Sequence, residues 1–152
     1  MIYLERPSGF ISLFSAVGVF VESEGCILQL LRSDKKKSEP GKWGAPAGKI
    51  ELNETAKAAA QRELCEEAGI AVMPDQLEFL KKVFVDYGHT CFEYSLFRLV
   101  FQFKPIVVLS SEHVAHVWIP PKYAQSLDLM KDEWECIQLV YACNKETKNE
   151  KQ

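Results

Sequence analysis

The sequence predicts an α/β fold, a helix–sheet–helix sandwich, on three observations. Short β-rich apolar runs recur through most of the chain, separated by turn signals. One alanine- and glutamate-rich helical stretch interrupts them after residue 54. A second helical pattern closes the chain before an entirely polar end. With 152 residues, 47% of them hydrophobic, the chain can fill one core. Residues 1–143 are therefore expected to form a single domain, and 144–152 a disordered polar tail.

Ser15 to Val21 and Cys26 to Leu31 are apolar runs joined by Glu22-Ser23-Glu24-Gly25, which reads as a β-hairpin. Arg32 to Gly44, with Lys35-Lys36-Lys37 and Pro40-Gly41, reads as a loop. A short strand near Ala45 to Glu51 leads into a helix over Thr55 to Ala68, capped by Asn53 or Thr55 and stopped by Gly69. Its alanines favour the helical state. Strands are expected near Leu77–Val85, Thr90–Phe103 and Ala115–Ile119. Pro120-Pro121 then breaks the chain, Lys122 to Leu127 reads as one helical turn, and Asp132 to Cys143 as the closing helix.

A net charge of −3 argues against a broad basic surface and hence against nucleic acid as a partner. It leaves room for a small phosphate-bearing ligand, which needs only a local cluster of cations. The cysteines (Cys26, Cys65, Cys91, Cys136, Cys143) are odd in number and scattered, which favours reduced thiols over a disulfide framework or a zinc site. Cys65 is expected to pack. The apolar segment Phe10 to Val21 has no basic start and is too short to span a bilayer. The expectation is a soluble cytoplasmic protein with no membrane partner.

The chemistry concentrates in Arg62-Glu63-Leu64-Cys65-Glu66-Glu67. A helix turns about 100° per residue, so Glu63 and Glu67 stack one turn apart and Glu66 shares their flank. Like charges at that spacing repel. Carboxylates without His or Cys suit a hard divalent cation such as Mg²⁺, with Mn²⁺ as the alternative.

The stretch around it reads Gly48, five residues, Glu54, seven residues, Arg62-Glu63, an apolar residue, any residue, Glu66-Glu67, any residue, Gly69, and an apolar residue. Position by position this resembles the signature of the Nudix hydrolase family. The resemblance implies a Nudix-type α/β/α sandwich with a mixed sheet and a Mg²⁺-dependent, MutT-like pyrophosphohydrolase. Such an enzyme cleaves a diphosphate linkage in a nucleoside triphosphate, a nucleotide sugar or a dinucleoside polyphosphate with metal-activated water. The alternative is a Nudix-fold sensor that binds nucleotides without turning them over. Carried over by residue, Glu63, Glu66 and Glu67 are metal ligands and Gly48 adds its carbonyl, while Glu54 and Arg62 brace the loop and helix. Glu112, in the run Ser111-Glu112-His113 before Trp118, resembles the further acid that many relatives use as base or ligand. Glu63, Glu67 and Glu112 all stay open as the base. Arg32, ending the second hairpin strand, is the expected phosphate contact.

Tyr87 lies seventeen residues after Ile70, a spacing associated with dinucleoside polyphosphate hydrolases, and is the expected substrate contact. Lys35 to Lys37 read as solubilising, and His89, His113 and His116 as surface or strand residues. Trp43 and Trp118 are expected to pack under the motif loop. One departure stands out: relatives usually carry Pro-Gly-Gly before the motif, whereas this chain has Pro46-Ala47-Gly48. An alanine there is tolerated if its φ is negative and strained if positive. Many Nudix proteins pair, so a homodimer is also part of the expectation.

Overall fold

Glu24 and Gly25 both take positive φ, 53° and 76°, between the paired residues Ser23 and Cys26. Two left-handed residues make the tight turn that matches strand twist, and glycine at the second position favours it. The computed structural model describes residues 1–142. The domain boundary drawn at 143, Cys143 and the tail expected over 144–152 lie outside the described residues.

The described residues form eight strands: β1 (Ile2–Tyr3), β2 (Phe14–Ser23), β3 (Cys26–Arg32), β4 (Trp43–Gly44), β5 (Ala47–Lys49), β6 (Glu78–Asp86), β7 (Cys91–Phe101) and β8 (His113–Ile119). Helix α1 (Ala56–Ala68) follows β5, and α2 (Glu133–Tyr141) closes the described chain. Short 3-10 turns occupy Pro74–Gln76 and Pro121–Ser126. The sheet is mixed. β2 runs parallel to β7 from Phe14↔Phe92 to Ser23↔Phe101, and the other pairings are antiparallel.

Alternation along β2 decides the layers. Val17, Val19 and Val21 pack with Ala59, Ala60, Leu64 and Ala68 of α1. Phe20, on the opposite face, packs with Ile27, Leu96, Cys136 and Ile137, the last two from α2. A strand buried on both faces reads as the continuous apolar run seen in the sequence. The helix–sheet–helix sandwich is therefore present, with α1 and α2 on opposite faces.

β2 and β3 do not stay together. On one edge β3 pairs with β8 throughout. On the other it meets β2 only at Glu22↔Ile27 and Ser23↔Cys26 and then takes β4 at Leu30↔Gly44. β2 meanwhile takes β5 at Ala16↔Lys49 to Gly18↔Ala47. The two strands splay, and Ala45-Pro46 bridges the gap, with Val19 N–H donating to Pro46 O at 2.9 Å. A cleft of about 610 Å³ opens at this divergence. Among the described residues no helix is long and apolar enough to cross a membrane.

Candidate active site

Helix α1 is set by its caps and its buried stripe. Thr55, not Asn53, is the N-cap, its Oγ1 accepting the Ala58 N–H at 3.1 Å. Asn53 instead takes a left-handed φ of 62° in the preceding turn. Gly69 ends the helix at φ 66°, with its N–H on Cys65 O and the Ile70 N–H reaching back to Leu64 O at 3.2 Å. Ala59, Ala60, Leu64 and Ala68 fix the rotation against the sheet. That rotation turns Glu63 and Glu67 into the cleft and leaves Cys65 exposed. The expected packing role for Cys65 therefore fails, because it lies on the helix flank away from the sheet.

Arg62 organises the motif. Its Nε and Nη2 donate to Glu54 Oε2 and Oε1 at 2.8 and 2.9 Å, and Nη2 also donates to Lys49 O at 2.9 Å. Its Nη1 donates to Glu63 Oε1 at 2.7 Å and reaches Glu66 Oε2 at 3.3 Å. This planar fork ties the loop after β5 to the helix. The same guanidinium holds the Glu54 carboxyl down at about 2.

Gly48 faces Glu63 so closely that a Cβ at that position would overlap the carboxylate. Glu67 is 4% exposed, and its Oε1 accepts the Ala47 N–H at 3.0 Å. Its Oε2 stands 3.3 Å from His113 Nε2. Burial, and then the neighbouring Glu63 charge, push the Glu67 carboxyl up to about 9. His113 is buried as well, and burial with the nearby Arg32 charge lowers its imidazole to about 4.

The loop before β8 delivers Glu112. Ser33 N–H donates to Glu112 O at 2.9 Å, and the β3–β8 register shifts at Leu31/Arg32, where Arg32 pairs with His113. Ligand atoms of Glu67, Glu112 and His113 all lie within 4.8 Å of one another. Lys36 Nζ stands 3.2 Å from Glu112 Oε1. Glu66 is not part of this gathering: its side chain is 59% exposed and faces Arg62.

Arg32 and Tyr87 both line the cleft. Arg32 Nε and Nη2 donate to Ser38 O at 3.1 and 2.9 Å, which holds the guanidinium along the cleft wall. The Tyr87 hydroxyl donates to Lys131 O at 3.3 Å, and Lys131 Nζ sits 4.4 Å from its ring centre. Ala47 is absent from the residues with positive φ, so the departure at this position is unstrained.

His113, Lys36 and Glu133 are the cleft-region residues that sequence reasoning passed over. Of the surface or strand position expected for His113, the strand is present but the residue is buried, and its ring meets Glu67. Lys36 was read as solubilising, whereas it faces Glu112. Glu133, in the first turn of α2, is 7% exposed and accepts the Ala45 N–H at 3.0 Å. An acid opening a helix carries no signal for such burial.

The donors fit a hard divalent cation. A buried carboxylate with no Lys or Arg partner among the described residues lies beside Glu63 and near Glu112, over a glycine cradle that a side chain would fill. The family model for the NUDIX domain matches residues 13–140. The chain belongs to the NUDIX family. It is accordingly a hydrolase of phosphoric anhydrides. A MutT-like protein from Streptomyces ambofaciens is 32% identical over 128 residues, covering 80% of this chain and 75% of that protein. Nudix hydrolase 3 from Arabidopsis thaliana is 44% identical over 70 residues, 45% of this chain but only 9% of that longer protein. The NUDIX fold is shared with the E. coli dihydroneopterin triphosphate pyrophosphohydrolase, at a TM-score of 0.71 and 24% identity over 89% of this chain and 99% of that one.

Proposed function

We propose that the chain is a Mg²⁺-dependent pyrophosphohydrolase of a nucleoside diphosphate derivative, with Mn²⁺ able to substitute. The observation that carries this reading is the convergence of Glu67, Glu112 and His113 within 4.8 Å at the head of the cleft, beside Glu63. A bound divalent cation would offset phosphate charge and make a coordinated water acidic. Glu63, Glu67 and the more exposed Glu66 hold the cation in this reading, with Gly48 offering backbone. Arg62 and Glu54 keep the loop and helix in register. Arg32 and Lys36, on the cleft wall, bind the phosphate chain and neutralise it as it is cleaved. Glu112, 53% exposed and paired with Lys36, can accept a proton from the attacking water and pass it to solvent. Glu63 and Glu67 are the other candidates for that proton, and Tyr87 forms a wall for the organic part of the substrate.

The reading includes a small nucleotide-type substrate, no nucleic acid, and a cytoplasmic setting, for which the free thiols Cys26, Cys65, Cys91 and Cys136 speak. A homodimer belongs to it as well and is checked by sedimentation. The deciding experiment is a phosphate-release screen with Mg²⁺ over nucleoside triphosphates, nucleotide sugars and dinucleoside polyphosphates, with Glu67→Gln in parallel. Metal-dependent turnover of one class, lost in the variant, supports the reading. Tight nucleotide binding with no turnover anywhere would make the chain a sensor.

A further inference from the structure

Adjacent residues of a strand point to opposite faces, yet Glu112 and His113, neighbours at the start of β8, bring ligand atoms to the same place as Glu67. The register shift at Leu31/Arg32 accounts for this. Arg32 pairs with His113, and Glu112 is left one residue outside the strand, where the Ser33 N–H donates to its carbonyl at 2.9 Å. The three ligand atoms lie within 4.8 Å of one another.

One of the three is an imidazole without a settled partner. The His113 side chain is 4% exposed, its Nδ1 is buried with no hydrogen bond, and its Nε2 stands 3.3 Å from Glu67 Oε2. Buried polar groups are ordinarily filled by protein or by a bound species. Glu67 is open on the same side. Its Oε1 accepts the Ala47 N–H, whereas Oε2 has no Lys or Arg partner among the described residues. Donors around one ion at about 2.1 Å stand roughly 3 to 4.2 Å apart. Ring and carboxylate therefore already have the spacing of neighbouring ligands.

The other acids lining the cleft are engaged elsewhere. Glu63 accepts from Arg62, and Glu39 accepts the Lys131 N–H at 2.6 Å. Asp132 faces the Met1 amino group at 3.3 Å, and Glu133 accepts from Gln29 and Ala45. The competing charge at the cluster is Lys36, 3.2 Å from Glu112 Oε1. Both side chains of that pair are partly exposed, so it is weak and yields to a doubly charged ion.

We infer that Glu67, Glu112 and His113 form a cation position with a nitrogen donor, which favours a first-row transition ion over Mg²⁺. Mg²⁺ takes oxygen donors, whereas imidazole suits ions such as Fe²⁺, Ni²⁺ and Zn²⁺, with Co²⁺ among them in the affinity order. The inference rests on the pyrophosphohydrolase reading for the presence of a divalent cation and adds a donor to an otherwise all-oxygen set. A ring that merely propped Glu67 would serve every cation alike.

The test uses Co²⁺ and Mg²⁺ on the untagged protein and needs no turnover. In the Co²⁺-loaded wild type, proton NMR should show an exchangeable imidazole N–H resonance displaced far outside the diamagnetic range and absent in D₂O. Calorimetry should show His113→Gln lowering Co²⁺ affinity by about 10- to 100-fold, and Mg²⁺ affinity by less than about 3-fold. His89→Gln and His116→Gln should keep the resonance, which assigns it to His113 by elimination even if His113→Gln fails to fold. No displaced resonance in the wild type overturns the inference, and so does its loss in either control. Equal weakening of both cations in His113→Gln overturns it too. The phosphate-release screen stands apart from these readouts. Turnover with Mg²⁺ but no displaced resonance sinks this inference alone, whereas the resonance without turnover of any substrate sinks the pyrophosphohydrolase reading and leaves the cation position in place.

Discussion

The backbone N–H of Ala47 donates to Glu67 Oε1 at 3.0 Å, so the residue just before the motif, where the chain departs from the usual family pattern, also holds the most buried acid of the site. The contact uses the main chain, which any residue but proline supplies. Because Ala47 φ is not positive, the methyl group is carried without strain. Ala47→Gly should therefore keep kcat/KM within about 3-fold of wild type and lower stability by roughly 0.5–1 kcal/mol through added chain entropy. Turnover assays and urea unfolding check both. A large gain in activity would show that the methyl group obstructs the substrate.

Gly48 offers the opposite case. A Cβ there would run into the Glu63 carboxylate, which Arg62 already holds at 2.7 Å. Gly48→Ala leaves the backbone unstrained, since Gly48 is not at positive φ, but it displaces the acid. Turnover should fall about 100-fold or more, as for other misplaced catalytic groups, while circular dichroism stays native. Unchanged turnover would remove Glu63 from the metal-holding set.

The Arg62 fork gives a prediction about stability and activity together. Lysine keeps the charge but cannot meet both Glu54 oxygens, Lys49 O and Glu63 at once. Arg62→Lys should cost about 1–3 kcal/mol, in line with lost charge-assisted hydrogen bonds, and should weaken metal binding because Glu63 loses its tether. Calorimetric Mg²⁺ titration separates the second effect from the first. A variant as stable as wild type would mean the fork is replaceable.

What could be read from the sequence was local. The spacing of Glu63 and Glu67, the Thr55 and Gly69 caps and the hairpin turn at Glu24-Gly25 depend on residues within a few positions of one another. The two-residue strands β1 and β4 escaped, because they are too short for any period and exist only through pairing with β6 and β3. Glu112 was reached through the family resemblance, not through geometry. His113 beside Glu67, and Glu133 bonded to a backbone 88 positions away, are products of the splay between β2 and β3. Alternation assigns a residue to a face but cannot say which distant carboxylate shares it.

Two titrations in the site predict how the metal-free protein responds to pH. The folded Glu67 carboxyl, at about 9, lies above its unfolded value near 4.5, so its contribution is complete below pH 4.5 and is lost as pH climbs through 9. The folded His113, at about 4, lies below its unfolded value near 6.5, so its contribution is present above 6.5 and is lost as pH falls through 4. Between about pH 4.5 and 6.5 the two slopes oppose each other, and above 6.5 only the Glu67 slope remains. In EDTA the melting temperature should therefore hold roughly level to pH 6.5 and then decline toward pH 9. With Mg²⁺ the decline should flatten or reverse, because cation binding favours the ionised carboxylate and releases its proton. Melts at matched ionic strength, with and without the cation, read this directly, and Glu67→Gln should abolish the decline in EDTA. A metal-free protein that grows more stable from pH 6.5 to 9 would mean that Glu67 is already ionised without a cation.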